Sequence, residues 1–235
     1  MKHNTFSKGA LSLVLIAAAT LSACAHQGAS VRADSLAANA ESATYAISVT
    51  RSWSEATHPV SWPGPAAHLS AGIAAVHNGN YTLFNTGALA SPGLELLSQK
   101  GQPGTVDTEM QTARASGNVG AIARLDPIRV VGGVASASII ATTTHPIFSV
   151  AQMVAPSPDW FTGTANVNLK SDGKWRDNVT LPLFAWDSGT NSATDFHAAK
   201  IATVPPVGIV RQTIAQFTAN GQAVAVGEIT LRRVQ

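Results

Sequence analysis

Alternation of apolar and polar positions dominates the chain from Ala43 onward. Tyr45, Ile47 and Val49 alternate with Ala46, Ser48 and Thr50, and Trp53 follows, which predicts a half-buried strand. A proline-punctuated excursion through Pro59, Pro63 and Pro65 interrupts the pattern. It resumes as an apolar stretch through Ile73, Ala75 and Val76 that His68 and His77 flank. Ser91-Pro92-Gly93 introduces a short helix over Leu94 to Leu97 that Gly101 stops, and residues 106–115 predict a second helical segment begun by Asp107 and ended by Gly117. Beyond residue 118 the pattern is mostly strand. Residues 128–140 alternate in part, 146–154 form a near-continuous apolar run suited to burial on both faces, and 164–169 and 179–183 alternate cleanly. Residues 209–217 read as another strand, with Asn220-Gly221 as a hairpin turn and 223–234 as the return strand. Many short strands with turns between them predict an all-β fold, an antiparallel β-sandwich with short helices in its connecting loops.

One stretch departs from this alternation. Pro156-Ser157-Pro158-Asp159-Trp160-Phe161 combines two prolines, an acid and two large aromatics. The prolines fix φ and keep the residues before them extended, and the aromatics seek a core. The expectation is a carboxylate on a stiff turn bolted to the interior. Such a turn serves a ligand site or simply a proline-rich connector whose aromatics fill the core.

The first 23 residues read as a leader. Lys2 and Lys8 form a positive n-region and residues 11–21 an apolar h-region too short for a membrane span. Leu21-Ser22-Ala23-Cys24 resembles the bacterial lipobox, in which cleavage precedes a cysteine that is then acylated, as by palmitate. Cys24 is the only cysteine in the chain, and a lipid accounts for an unpaired thiol in an exported protein. The resemblance implies anchoring at the cell envelope, and Ala25 in place of an aspartate favours the outer membrane. Residues 24–42, rich in Ala and Ser, are expected to form a tether or a first docked helix, leaving 43–235 as the domain. Without Lys2 and Lys8 the chain holds 13 basic and 13 acidic residues. No basic cluster suggests nucleic acid as a partner.

Several stretches, in order, resemble the spondin-domain family, the type found at the N-terminus of F-spondin and mindin and in bacterial exported proteins. They are Trp53-Ser54 with Thr57-His58-Pro59; Pro65 with Ala67-His68-Leu69-Ser70; Ala75-Val76-His77-Asn78; Gly87 with Ala90-Ser91-Pro92-Gly93; His145-Pro146; residues 156–161; and Trp175 with Trp186-Asp187-Ser188-Gly189-Thr190. The resemblance covers roughly residues 44–233 and implies a β-sandwich with a topology like that of calcium-dependent phospholipid-binding sandwiches. It also implies one structural calcium ion near one end. The family's ligating acids fall on Asp159 and Asp187, and a third falls on Asn191, which offers a carbonyl oxygen without charge. Asp195, four residues on, is a candidate to compensate. A further family acid, linked to integrin binding in animal members, falls near Ile140, where this chain has no acid. That adhesion function is not carried over.

The residues themselves agree as far as they go. Calcium takes six to eight oxygen ligands in flexible geometry. Asp159, Asp187 and Asn191 supply part of such a shell, and Gly189 lets the loop turn its carbonyls inward. The alternative is that both aspartates cap loops by accepting backbone amides. The loop is no EF-hand, because Ser192 and Ala198 stand where Gly and Glu would be required. The reading that emerges is a lipid-anchored, calcium-binding module for binding or adhesion at the envelope, with a glycan, a protein or a membrane surface as its ligand. The competing reading is an envelope hydrolase using His58, His68 or His77 with an aspartate. No G-x-S-x-G or HExxH supports it, and Ser171-Asp172-Gly173-Lys174 reads as a turn rather than as a nucleophile motif. Five tryptophans would make a sugar-stacking platform only if two lay exposed on one face.

Overall fold

The structure, a computed structural model, describes residues 40–235. The leader, Cys24 and all but the end of the expected tether lie outside the described residues. Strand β1 (Ser42–Arg51) opens the domain, and its alternating pattern puts Ala43, Tyr45, Ile47, Val49 and Arg51 inside. A short 3-10 turn (Gly64–Ala66) leads to β2 (His68–His77). Helices α1 (Pro92–Lys100) and α2 (Gly104–Ala115) follow. Then come β3 (Val119–Leu125), β4 (Val134–Thr142), β5 (Ile147–Ala155) and β6 (Trp160–Asn168). A tight hairpin of β7 (Lys170–Ser171) and β8 (Lys174–Trp175) precedes β9 (Asn178–Leu183) and β10 (Ala185–Asp187). The chain ends with β11 (Val210–Arg211), a 3-10 turn (Ala215–Phe217), the small hairpin of β12 (Thr218–Ala219) and β13 (Gln222–Ala223), and β14 (Gly227–Arg233).

These strands form a four-stranded sheet, β4-β1-β14-β9, and a six-stranded sheet, β11-β10-β6-β5-β2-β3. Every pairing between strands is antiparallel. The main core fills the space between the sheets with Tyr45, Ile47, Val49, Trp53, Phe148, Trp160 and Leu231. A second core lies on the outer face of the six-stranded sheet. There α1 and α2 press Leu94, Leu97, Val106 and Met110 onto Ile73, Ala75 and Phe161. Burial on both faces explains the near-continuous apolar run of β5, in which every residue after Ile147 is buried. Each fully buried aliphatic side chain contributes about 1.5–3 kcal/mol.

The predicted helices are present. Ser91 caps α1 by accepting from the Leu94 amide at 3.1 Å, and Gly101 ends the helix in the left-handed region at φ 65°. The Ser171–Lys174 turn is a hairpin with Asp172 and Gly173 both at positive φ. Three expectations are corrected. Residues 128–133 are loop, and β4 starts only at Val134. In residues 209–217 only Val210 and Arg211 are strand, because Gln212, Thr213 and Gln216 break the alternation and Phe217 drops into the core from a 3-10 turn. The Asn220-Gly221 turn is real, with φ of 50° and 74°, but it closes arms of two residues only. The last strand instead enters between β1 and β9, where Ile229 and Leu231 meet the main core.

Candidate cation site

The six-residue stretch around Asp159 is less a free-standing loop than the entrance to β6. Its turn is held by Ser157, whose Oγ accepts from the Trp160 amide at 3.1 Å. Trp160 and Phe161 are the first residues of β6, and strand alternation sends them to opposite faces. Trp160 enters the main core and Phe161 the helix-side core. Trp160 packs edge-on against Phe196 and Phe217, both at 5.2 Å between ring centroids. Phe161 packs against Phe84 at 5.0 Å. Such aromatic pairs add about 0.5–1.5 kcal/mol each beyond their buried area. The backbone beneath Asp159 is thus fixed from both sides.

Register brings the second acid-bearing loop to it. Asp187 pairs with Trp160 across β10 and β6, so Asp159 falls beside Ser188, whose amide donates to the Asp159 carbonyl at 3.2 Å. Asp159 is fully buried. Its Oδ2 accepts from the amides of Thr190 (2.8 Å) and Asn191 (2.9 Å) and from the hydroxyls of Ser188 (2.9 Å) and Thr190 (3.1 Å). Its Oδ1 is equally buried and has no hydrogen-bond partner among the described residues. A buried carboxylate oxygen left unpaired is costly and calls for an explanation.

Asp187 is half-buried. Its Oδ1 accepts from the Gly189 amide and its Oδ2 from Gln212 Nε2, both at 2.7 Å. Burial, and then the charge of Asp159, push its carboxyl up to about 6, against the bonds from Gly189 and Gln212. The Trp160 indole N–H also acts on this carboxyl, lowering it, although it falls outside hydrogen-bonding geometry. Gly189 stands at φ 75°, and a Cβ there would lie 2.1 Å from the Val207 carbonyl oxygen, so only glycine closes this loop. A cavity of about 190 Å³ lined by Trp160, Asp187, Asn191 and Gln212 reaches the Asp187 side of the site.

Asn191 belongs to the same loop but spends its side chain differently. Its Oδ1 accepts from the amides of Ala193 (3.0 Å) and Ile201 (3.2 Å), stapling the loop to residue 201. Both lone pairs of that oxygen are committed. Asp195 is exposed and accepts from the amide of His197 at 3.4 Å. Among the described residues no third carboxylate, histidine or cysteine joins Asp159 and Asp187. The loop-capping role considered for the aspartates is therefore present, yet it leaves Oδ1 of Asp159 unexplained.

Helix α1 braces this loop through residues the sequence reading passed over. Ser98 Oγ donates to Ser188 Oγ at 3.0 Å, and Gln99 Nε2 donates to Thr190 Oγ1 at 2.9 Å. Ser98 is fully buried on the same helical stripe as Leu94 and Leu97. A polar residue on an apolar stripe was the available signal. The Lys200 ammonium donates to the Gln99 carbonyl; burial, and then Lys100, hold it below its ordinary value, with Asp159 opposing them.

Among the described residues His58, His68 and His77 do not come together. His68 and His77 lie at opposite ends of β2. At about 3.3 Å per residue that separation is roughly 30 Å. His77 is buried, donates from Nδ1 to the Asn78 carbonyl at 2.8 Å and meets Ser149 Oγ through Nε2 at 2.8 Å. His58 is buried between Thr57 Oγ1 (2.8 Å) and the Val224 carbonyl (3.4 Å). Burial holds both imidazoles below their usual value. His68 Nδ1 donates to the Ala66 carbonyl at 2.8 Å. None of the three bonds a carboxylate. The tryptophans make no exposed platform either. Trp53, Trp160 and Trp175 are buried, and Trp62 and Trp186 are partly buried against the two cores.

Comparison with known proteins bears on this geometry. Residues 43–224 match the Spondin_N family model. The chain is similar to Spondin-2 of Homo sapiens, 28% identical over 181 residues that make up 76% of this chain and 53% of that protein. It is similar to Spondin-1 of Mus musculus, 30% identical over 171 residues, 69% of this chain and 21% of that protein. Spondin-1 of Xenopus laevis is 26% identical over 206 residues, 82% of this chain and 25% of that protein. The chain thus spans about half the length of Spondin-2 and about a quarter or less of Spondin-1.

Proposed function

The chain belongs to the Spondin_N domain family, and on that premise we propose that it is a non-enzymatic binding module, anchored to the bacterial cell envelope through lipid on Cys24, in which Asp159 and Asp187 hold one structural calcium ion. The observation that carries the cation is Oδ1 of Asp159, buried and unpartnered beside a second carboxylate that is hard to ionise. A divalent cation would neutralise both acids and tie the end of β6 to the Asp187 loop. Backbone carbonyls and water would complete its shell, and Asn191 would shape the loop rather than ligate. With only two charged ligands the affinity falls toward the weak end of the calcium range, suited to an extracytoplasmic structural ion. The scattered, backbone-bonded histidines favour a module over a hydrolase. Among the described residues no helix is long and apolar enough to cross a membrane; the anchor is read from the lipobox-like Leu21-Ser22-Ala23-Cys24 alone.

The pH dependence has a definite sign. Burial and then Asp159 push the carboxyl of Asp187 up to about 6, against 3.8 for an ordinary aspartate. Its contribution to stability is then fullest below 3.8 and is lost as pH rises through about 6. Calcium must displace that proton, so its affinity falls as pH drops below 6. Titration calorimetry is expected to show calcium binding at pH 7.5 that weakens about tenfold by pH 5. Asp187→Asn should bind far more weakly and lose this pH dependence. Undiminished binding by Asp187→Asn contradicts the site.

The anchor is tested separately. Cys24→Ser is expected to move the protein from the membrane fraction to the soluble fraction after lysis and to abolish metabolic labelling with a clickable palmitate. Persistent membrane association without label would assign attachment to another segment.

A further inference from the structure

A groove of about 330 Å³ opens where the chain passes from β9 of the four-stranded sheet to β10 of the six-stranded one. It is lined by residues 163–166 of β6, by residues 84–86, and by Leu181, Pro182 and Phe184. The volume lies at the small end of the range for small-molecule sites, about 300–1,000 Å³. The β10–β11 pairing places Arg211 opposite Trp186 at the edge of this groove. The guanidinium lies over the Phe184 ring at 4.4 Å and the Trp186 ring at 5.2 Å. Arg211 is exposed and has no ion-pair partner among the described residues. An arginine held against aromatic rings loses little further freedom on binding and keeps a fork of N–H donors for a planar oxyanion.

The neutral groups around it are equally ordered. Asn166 stands at φ 60°, with its amide donating to Ser149 Oγ at 3.0 Å. Its Nδ2 donates to Thr82 Oγ1 (3.0 Å) and Asn85 Oδ1 (2.9 Å). Asn85 therefore accepts through Oδ1, and its Nδ2 hydrogens have no partner among the described residues. The hydroxyls of Thr86 and Thr164 carry no hydrogen bond among the described residues, and no acid lines the groove. Phe84, Leu181 and Pro182 supply apolar wall. One oriented cation, one amide donor, two free hydroxyls and an apolar wall match a ligand with one carboxylate, several hydroxyls and a C–H face.

We propose that this groove binds a uronic-acid residue of an acidic polysaccharide, its carboxylate on Arg211 and its hydroxyls on Asn85, Thr86 and Thr164. The proposal rests on reading the chain as a binding module and does not depend on the cation, since neither Asp159 nor Asp187 lines the groove.

The test titrates the full-length protein with a hexasaccharide of alternating glucuronate and N-acetylglucosamine, following heat and the tryptophan fluorescence to which Trp186 contributes. The neutral N-acetylglucosamine hexamer is expected to bind at least about tenfold more weakly, the loss of one charge-assisted bidentate contact. Arg211→Ala should lose a similar factor with its melting temperature nearly unchanged. Arg211→Lys should recover little, because an ammonium lacks the planar fork. Asn85→Ala, a second variant away from the stacked rings, should weaken binding about threefold. Binding should persist in chelator. The proposal is overturned if the uronate hexamer fails to bind at millimolar concentration, if the neutral hexamer or Arg211→Ala binds as tightly, or if chelator abolishes binding. Tighter binding of inorganic sulfate or of a short peptide with a free C-terminus would overturn it in favour of a general oxyanion or peptide site.

Discussion

Asp159→Ala is expected to destabilise the domain by about 3–5 kcal/mol, the usual loss when one partner of a buried charged network is removed. The reason lies in what a single oxygen holds. Oδ2 accepts from the amides of Thr190 and Asn191 and from the hydroxyls of Ser188 and Thr190. The hydroxyls can turn to each other, since Ser188 Oγ and Thr190 Oγ1 are 2.8 Å apart. The amides cannot turn. Each buried amide left without an acceptor costs about 1–3 kcal/mol. For a domain of this size each kcal/mol moves the melting temperature by about 2–4 °C, so a fall of about 10 °C is expected. Asp159→Asn can keep an oxygen at the Oδ2 position and should lose much less in the absence of cation, about 1 kcal/mol. Urea unfolding of both variants in chelator measures the difference. An alanine variant within 1 kcal/mol of wild type, measured that way, would mean that the loop is not organised on this carboxylate.

The contrast between the two variants separates two roles of one side chain. Oδ2 organises the loop with or without an ion. Oδ1 makes no hydrogen bond among the described residues, and burial, then the charge of Asp159, push the Asp187 carboxyl up to about 6. The proposed cation would account for both features.

Much of this arrangement was legible in the sequence, and the rest was not for identifiable reasons. The alternation of Tyr45, Ile47 and Val49 and the unbroken apolar run of β5 reported burial on one face and on two. Proline, acid and paired aromatics together marked the turn at Asp159, and the structure adds that Trp160 and Phe161 divide between two cores. The C-terminal pairing was misread because Asn220-Gly221 is a strong local signal, whereas partner choice for β14 is settled by distant β1 and β9. The role of Asn191 could not be read either. A side-chain oxygen suits a metal or two amides equally well until the Ala193 and Ile201 amides are in place. Arg211 carried no signal at all, since its position depends on pairing with Trp186, 25 residues earlier in the chain.

The second large effect expected is that of the proposed calcium ion. A ligand that binds only the folded state stabilises by RT ln(1 + [L]/Kd), about 2.7 kcal/mol at a hundredfold excess over Kd. At about 2–4 °C per kcal/mol, saturating calcium should raise the melting temperature by about 5–10 °C. The ion would remove the repulsion between Asp159 and Asp187, satisfy Oδ1, and lock the loop that Ser98 and Gln99 of α1 already brace. Magnesium should do much less, because it demands a tighter octahedral shell and gives up its water reluctantly.

Thermal melts of the wild type and of Asp159→Asn at pH 7.5, each in excess calcium and in chelator, test the central claim most directly. The account predicts a wild-type melt about 5–10 °C higher in calcium than in chelator, and superimposable curves for the variant. Superimposable wild-type curves, or a calcium shift that survives in Asp159→Asn, would contradict it.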